Sequence, residues 1–434
     1  MTTASGAGAA ALVGAAAAGP SPGGPAPLAG GPASLAGTAP GGTPPAAPSA
    51  GAAALGAAGA AALGAAGAAG GSAVAAQAAA PPAAAGWWAR RRRPVALVGM
   101  LVALALLFLA ALAIGAVAVP LDETVRVVLG ADPHDPRWSV VVGQIRLPRA
   151  LTAMLAGAAL SVAGLQMQTL FRNPLADPYS LGVSSGASLG VALVVAGIGG
   201  TGSTFTAGVT GTGRLGVVAA GATGAAIVLA AVLTLARWVR SVVTLLVIGI
   251  VLSSAVSSVV SLLLTWTAPA RAVQYWTWAL GSFSGTTTRD LVVLGPVVGV
   301  GLLLALVSVK QLNALLLGEN YARTMGLHLR RTRTLALFGA AVLAGSVTAF
   351  CGPIAFLGIA VPHVARRLLG TSDHRVLVPG TLLTGASLAL ACSIVAQLPG
   401  TGLVLPINVV TALLGTPIVI GVLLRARASV TGAS

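Results

Sequence analysis

The stretch WWARRRRPVALVGMLVALALLFLAALAIGAVAV, residues 87–119, decides the class of fold. Two tryptophans and four arginines stand directly before an apolar run that carries no charge from Pro94 to Val119. A helix of about 20 apolar residues is long enough to cross the hydrocarbon core of a bilayer. Aromatic and basic residues collect at the cytoplasmic end of such helices. The stretch therefore predicts a transmembrane helix over 94–119 with its N-terminus in the cytoplasm.

The composition of the whole chain agrees with this prediction. The 434 residues are 56% hydrophobic and 7% charged, whereas soluble domains carry about 25% charged residues. So few charges cannot cover a water-exposed surface, which predicts an all-α polytopic protein in a lipid bilayer. The net charge of +16 does not indicate nucleic-acid binding, because no basic face with interleaved aromatic residues is present.

Apolar runs divide the chain into ten predicted spans of roughly 16 to 26 residues. They cover 94–119, 150–170, 181–198, 215–236, 242–266, 291–309, 334–350, 354–369, 376–396 and 405–424. With the N-terminus inside, 17 of the 24 Lys and Arg residues fall on the cytoplasmic side and seven fall outside. This asymmetry favours ten helices with both termini in the cytoplasm.

The ends of the chain differ from its membrane domain. Residues 1–89 contain no charge and are rich in Ala, Gly and Pro, a composition that cannot bury a specific core and predicts a disordered extension. Whether this extension is present in the mature protein stays open. The membrane domain is expected over 90–427, followed by a short tail over 428–434.

The positions of the charged residues exclude some classes of chemistry. By this topology all eight carboxylates lie in loops or at span ends, whereas ion-coupled carriers usually need an ionisable group near the midplane. Backbone carbonyls can also bind Na⁺, so an ion-coupled carrier stays a less favoured alternative. A phosphate-binding loop needs Gly-Lys-Ser/Thr, but the only lysine, Lys310, is followed by Gln311. The chain is therefore not predicted to be an enzyme or to need a cofactor.

Three further features favour structural interpretations. Residues 182–186, GVSSG, fit the G-x-S-x-G nucleophile motif, but that motif requires a preceding strand and here it opens a predicted membrane helix. The four histidines are dispersed and predict neither a metal site nor catalysis. Cys351 and Cys392 lack metal-type spacing, and buried free thiols are favoured over a disulfide.

Four ordered motifs make the sequence specific. They are RLPRALTAMLAGAALSVAGLQMQTLFRNPLADPYSLGVSSGASLG (146–190), LGENYARTMGL (317–327), GPIAFLGIAVPHVARRLLGTSDHRVLVPG (352–380) and LPINVVTALLGTPIVIGVLL (405–424). This series resembles the FecCD family of ATP-binding-cassette (ABC) importer permeases, over about 95–427. The resemblance implies a type II permease with ten helices in a bacterial cell membrane. Its implied partners are a second permease subunit (a copy or a paralogue), ATPase subunits and an extracytoplasmic binding protein.

The resemblance also implies a cargo. The family carries iron-siderophores, haem and cobalamin, and its frequencies favour a ferric siderophore here, with haem and cobalamin as alternatives. A membrane scaffold without transport is disfavoured by the motif series.

The second motif is implied to form a cytoplasmic coupling helix that docks on an ATPase. The implied coupling residues are Gly318, Glu319, Tyr321, Ala322, Arg323, Met325 and Gly326. Glu319 and Arg323 are spaced as a stabilising i,i+4 pair. Leu317, Tyr321 and Met325 repeat every four residues and predict an apolar stripe, which would suit a docked helix or one lying on the membrane surface.

The resemblance assigns binding-protein docking to Arg146 and Arg149. Spaced by three, they would project from one helix face at the outer end of the second span, with interfacial snorkelling as the alternative. The sequence departs from the family pattern nearby. Ser393 and Gln397 replace an Asp and an Arg, while Val404 and Asn408 replace a Glu and a Gly. These departures put the geometry of docking in doubt, not the fold.

The remaining motif residues are assigned to structure around the transport pathway. The group comprises Arg172, Asn173, Pro174, Gly182, Ser184, Gly186, Gly352, Pro362 and His363. Pro174 prevents helix continuation after the second span, and the small residues permit close packing in the third. The inner turn with His363, Arg366, Arg367, Asp373, His374 and Arg375 predicts a local polar network.

Overall fold

The computed structural model describes residues 86–115, 117–197, 212–236, 238–239, 241–397 and 404–431. These residues form helices joined by turns and loops, without strands, so the all-α prediction is confirmed for this part of the chain. Most of the predicted disordered extension (1–85) and residues 432–434 lie outside the described residues.

Fourteen helices are numbered here in chain order. They are α1 Gly86–Ala113, α2 Leu121–Val128, α3 Leu147–Phe171, α4 Val183–Ala196, α5 Thr212–Leu235, α6 Val242–Thr265, α7 Pro269–Ala279, α8 Thr288–Val307, α9 Val309–Leu316, α10 Glu319–Thr324, α11 Leu329–Cys351, α12 Leu357–Leu369, α13 His374–Ala396 and α14 Ile407–Thr431. A turn at Pro136–Trp138 and a π-helical segment at Ser139–Arg146 lead directly into α3, and a 3₁₀ turn at Pro178–Leu181 precedes α4.

Each of the ten predicted spans overlaps one of these helices, but ten membrane crossings are not confirmed. Among the described residues, seven helical segments are long and apolar enough to cross a bilayer. The segments matching the third, eighth and tenth predicted spans do not meet that criterion, because α4 and α12 have only 14 and 13 residues and the apolar part of α14 is Ile407–Gly421.

Several predicted boundaries also differ from the structure. The first helix ends at Ala113 instead of Val119, since the chain leaves helical geometry around Gly115. The helix α14 continues to Thr431, so residues 428–431 are helical and not part of a tail.

Glycines allow the central helices to approach each other closely. A Cβ at Gly157 of α3 would lie 2.2 Å from the carbonyl oxygen of Gly385 in α13. The same kind of contact joins α4 to α5, where a Cβ at Gly186 would lie 2.5 Å from the Gly224 oxygen. Small residues permit such packing where lipid supplies no hydrophobic driving force between helices.

Candidate coupling and docking sites

The predicted coupling motif, residues 317–327, forms α10 and the turns that flank it, directly after α9. We call α9 and this motif together, residues 309–327, the coupling segment. Its predicted apolar stripe is on the surface, since Leu317, Tyr321 and Met325 are 60%, 55% and 61% exposed. Within α10 only Ala322 is buried, and it is fully so. The three residues of the stripe lie at the surface, Tyr321 in α10 and Leu317 and Met325 in the turns that flank it. The turns use Gly318 and Gly326, both in the positive-φ region.

The predicted ion pair between Glu319 and Arg323 is wrong. The Glu319 carboxylate instead accepts a hydrogen bond of 2.6 Å from Arg333, four residues into α11. The helix α10 has only six residues, and Glu319, at its first position, lies against the adjoining helix. The pair therefore fastens the coupling segment to α11 instead of stabilising α10 internally.

Arg172 fastens the coupling segment to α3. It ends α3 in the left-handed conformation, with φ of 48°, and donates a 3.0 Å hydrogen bond to the Leu315 carbonyl at the end of α9. A cavity of about 690 Å³ opens here. It is lined by Arg172, Leu317, Gly318, Glu319, Asn320, Tyr321 and Thr324.

Polar side chains join α9 to α3 and α13 at the inner side. We call Thr169, Asn313, Asp373 and His374 the inner clasp. The Asn313 oxygen accepts from the backbone N–H of His374 at 2.9 Å and contacts its Nδ1 at 2.8 Å. The Asn313 amide donates to Asp373 at 2.7 Å, and His374 Nε2 lies 2.9 Å from the Thr169 hydroxyl. The predicted network around this turn is thus extended to two other helices.

The other members of the predicted inner network have separate partners. Arg366 donates to the Gln168 side chain of α3 at 2.8 Å. His363 Nδ1 lies 2.8 Å from the Ile359 carbonyl, one turn earlier in α12. His363 is therefore bonded within its own helix and not to the turn.

At the other end of α3, an outer cavity of about 450 Å³ contains three arginines. Its described lining is Val117, Arg137, Trp138, Val141, Ile145, Arg146, Arg149, Gln397 and Val404. Arg137, at its edge, hydrogen-bonds to Asp135, and these bonds hold the pKa of the Asp135 carboxyl below its ordinary value.

The two predicted docking arginines have different surroundings. Arg146 is 7% exposed, and its guanidinium donates to the carbonyls of Leu112, Ala113 and Val117. It therefore supplies a partner to carbonyls at the end of α1 and in the turn that follows it. Arg149 is half-buried, and its Nε lies 3.3 Å from the Ser393 hydroxyl of α13. The sequence indicated one shared face but gave no signal for the capping role of Arg146.

The residues that depart from the family pattern lie beside these arginines or in an interior junction. Ser393 contacts Arg149, and Gln397 lines the outer cavity and donates to the Ser393 carbonyl. Asn408, at the start of α14, accepts from the Ala355 N–H at 2.9 Å and donates to the Pro353 carbonyl at 2.7 Å.

The interior junction is formed by non-helical backbone at the starts of α4, α12 and α14. The Tyr179 hydroxyl accepts from the Ile354 N–H at 3.2 Å, while Asn408 holds the same loop from its other side. Gly352 and Phe356, at the ends of that loop, both have positive φ. Irregular backbone inside a membrane protein requires such partners.

Substitution of Asn408 by alanine should destabilise the fold. It removes partners from the Ala355 N–H and the Pro353 carbonyl, and an unsatisfied buried polar group costs about 1–3 kcal/mol. We expect a lower thermal unfolding midpoint for purified Asn408→Ala in detergent. Thr234→Val is the control, because that exposed hydroxyl bonds only within its own helix. An unchanged midpoint for Asn408→Ala would contradict the anchoring role.

The motif residues around α4 have structural roles. Gly182 precedes α4 with φ of 79°, and a 3₁₀ turn, not a strand, comes before it, so the geometry of a nucleophile motif is not formed. Ser185 donates to the Gly182 carbonyl, and Ser184 is half-buried. Asp177 caps the 3₁₀ turn by accepting from the Tyr179 N–H, and burial raises the pKa of its carboxyl to about 6.

The remaining motif residues also lie within helix ends and turns. The buried Asn173 accepts from the Leu175 N–H through its side chain, in the turn that contains Pro174. A Cβ at Gly352 would lie 2.2 Å from the Trp278 carbonyl oxygen. Pro362 lies buried within α12.

One cluster was missed by the sequence reasoning. Asp122, Glu123 and His134 offer side-chain ligand atoms that all lie within 4.8 Å of one another. Glu123 already accepts from the His134 backbone N–H at 3.1 Å and contacts its Nδ1 at 2.5 Å. The separation of 11 residues between Glu123 and His134 gave no spacing signal. Cys351 and Cys392 are buried thiols that are not joined in a disulfide, as predicted.

Comparisons with known proteins agree with these features. The model of the FecCD transport family matches residues 103–425. The hemin transport system permease of Yersinia pestis is 32% identical over 294 residues, which cover 67% of this chain and 85% of that protein. The vitamin B12 import system permease of Escherichia coli strain HS is 38% identical over 296 residues, covering 68% and 87%.

A solved structure shares the fold. Its chain is described as an inward-facing conformation of an ABC transporter assigned to the metal-chelate type. It matches with a TM-score of 0.65 at 30% identity, over 76% of this chain and 99% of its own length.

Proposed function

The chain belongs to the FecCD transport family, and from this premise we propose that it carries ferric siderophores into a bacterial cell. It is the permease of an ABC importer, a multi-pass membrane subunit. ATP is hydrolysed by a separate subunit of the importer. We also propose that the permease lies in the bacterial cytoplasmic membrane. The proposal further includes its cargo, its remaining partners and the roles of individual residues.

The exposed stripe of the coupling segment is the observation that carries the mechanism. Leu317, Tyr321 and Met325 present apolar surface on a helix that Arg172 and Glu319 tie to the body of the protein. An amphipathic helix of this kind fits a hydrophobic groove on a partner. We propose that the groove belongs to the ATPase, and that its ATP-driven closure moves the coupling segment and alternates access to the pathway.

The partners at the outer side and across the membrane complete the proposed assembly. A binding protein would present carboxylates to the outer cavity, where arginine suits bidentate pairing. Arg149 is the better candidate of the two predicted docking arginines, since Arg146 already holds the end of α1. A second permease, identical or paralogous, would enclose the pathway about a two-fold axis.

The cargo proposal has two alternatives within the same family. One relative is named for hemin transport and another for vitamin B12 import, so haem and cobalamin compete directly with a siderophore. Uptake of radiolabelled iron in a deletion strain, supplied with a panel of siderophores, tests the choice. Loss of uptake for one siderophore would support the proposal, whereas unchanged uptake across the panel would redirect the cargo to haem or cobalamin.

Glu319→Ala should lower that uptake about fivefold or more while membrane abundance stays native. The substitution removes a partly buried ion pair worth roughly 1 kcal/mol or more, and so loosens α10 on α11. Uptake in the complemented deletion strain, normalised to permease in the membrane, measures the effect. Arg333→Ala should also lower uptake, and the double variant should lose little more than Arg333→Ala alone. Native uptake by Glu319→Ala would remove its coupling role.

A further inference from the structure

The helices α3 and α13 connect the two candidate sites. Arg149 and Ser393 contact each other at the outer end of the pair, while Thr169 and His374 contact each other at the inner end. Twenty residues of helix separate Arg149 from Thr169, a distance of about 30 Å. The same two helices therefore reach both the outer cavity and the coupling segment.

Close packing makes the two helices one unit along this distance. Near their middle, a Cβ on Gly385 would lie 2.4 Å from the Gly157 carbonyl oxygen and 2.3 Å from the Ser161 hydroxyl. Contacts that tight leave no room for one helix to slide past the other without separating.

The inner clasp attaches this unit to α9. The Asn313 side-chain amide has one consistent orientation, because the His374 backbone N–H can only donate and the ionised Asp373 carboxylate can only accept. The Asn313 oxygen must then face His374 and its amide must face Asp373. His374 is 1% exposed and Thr169 4% exposed, so water does not compete for the contact between these two side chains.

We propose that the α3–α13 pair transmits movement of the coupling segment to the outer cavity, and that Asn313 and His374 are the positioning residues that join them. The inference rests on the proposed function, in which an ATPase moves the coupling segment. Arg172 adds a second attachment, from the end of α3 to the Leu315 carbonyl.

Three variants test the clasp in the reconstituted complex of permease and ATPase. Asn313→Ala removes the central amide, and Thr169→Val removes only a hydroxyl at nearly constant shape, so that it tests the clasp even where Asn313→Ala fails to fold. Thr234→Val is the matched control, since this exposed hydroxyl bonds only to the Ala230 carbonyl of its own helix.

The readout is a fluorophore on Val404→Cys, which lines the outer cavity and is 58% exposed. Both native cysteines are buried, which keeps labelling selective.

In Asn313→Ala and Thr169→Val we expect ATPase binding and ATP hydrolysis within about twofold of the unsubstituted complex. The ATP-dependent fluorescence change, and the uptake per ATP hydrolysed, should fall about fivefold, the effect of losing one or two buried hydrogen bonds. The Thr234→Val complex should behave as the unsubstituted one.

A full fluorescence change in Thr169→Val, with uptake per ATP unaltered, would overturn the proposal. Loss of ATPase binding in both clasp variants would also overturn it, because the clasp would then serve assembly and not transmission. Failure of the proposed function can be told apart from failure of this inference. In the first case the unsubstituted permease would neither bind the ATPase nor respond to ATP, before any variant is compared.

Discussion

Replacing both Tyr321 and Met325 by serine should abolish ATP-driven uptake while the permease still inserts and folds. Both side chains are more than half exposed, so their loss costs the isolated permease little. Large apolar and aromatic side chains in a docked interface contribute about 1–2 kcal/mol or more each. Losing two should weaken ATPase association roughly 30- to 1,000-fold. Co-purification with the ATPase and its affinity in detergent measure this directly.

The control for this prediction lies on the same helix. Thr324→Ser keeps the hydroxyl that donates to the Tyr321 carbonyl at 2.8 Å, so α10 and its position are preserved and association should stay within about twofold of native. Native association by the double serine variant would show that the stripe lies on lipid instead of on the ATPase. A variant that inserts poorly would show that the stripe stabilises the permease itself.

The stripe was predictable because helical spacing requires only the sequence. Leu317, Tyr321 and Met325 recur every four residues, a spacing that predicts one side of a helix. All three are exposed, although α10 spans only Glu319–Thr324 and the other two residues lie in the turns beside it. The same reasoning located the central part of most membrane helices, since long apolar runs can be satisfied only as helices in a bilayer. The ends of the short helices α4 and α12 were harder to predict, because a run of apolar residues does not show where helical backbone ends inside the protein.

Long-range partners were not predictable from spacing. Glu319 was expected to pair with Arg323, four residues away, yet it pairs with Arg333 because α10 is short and packs beside α11. Arg146 was expected to share one helix face with Arg149, but the end of α1 and the turn after it place three carbonyls within its reach. Each partner depends on how two elements meet, which no local pattern contains.

The departures from the family pattern gain a physical meaning from the same contacts. Arg149 faces the Ser393 hydroxyl where the resemblance implied an aspartate, so the outer cavity keeps an arginine without that carboxylate. Asn408, in place of a glycine, supplies hydrogen bonds to a loop that has none of the regular helical ones. The residues at these family positions thus take part in polar contacts at both sites.

The packing of α3 against α12 leads to the second prediction. Gly164 lies in α3 opposite Gly358 of α12, and the two backbones are in direct contact. A Cβ at Gly164 would lie 2.0 Å from the Gly358 carbonyl oxygen and 2.5 Å from its Cα. These are backbone atoms, so no side-chain rotation relieves the overlap, and the helices must separate by more than an ångström to reach ordinary contact at about 3.4 Å.

Gly164→Ala should therefore cost about 3 kcal/mol or more, the upper range for overpacking in a core. We expect little folded permease to be recovered in detergent, and a markedly lower thermal midpoint for the protein that is recovered. Gly295→Ala in α8 is the matched control, because no atom lies within 4 Å of the Cβ that it adds and alanine favours a helix by nearly 1 kcal/mol. Its midpoint should be equal or slightly higher. Native stability for Gly164→Ala would mean that α3 and α12 do not meet through these glycines. The loop bonded by Asn408 leads into α12, so contact between α3 and α12 would then not explain the position of that loop.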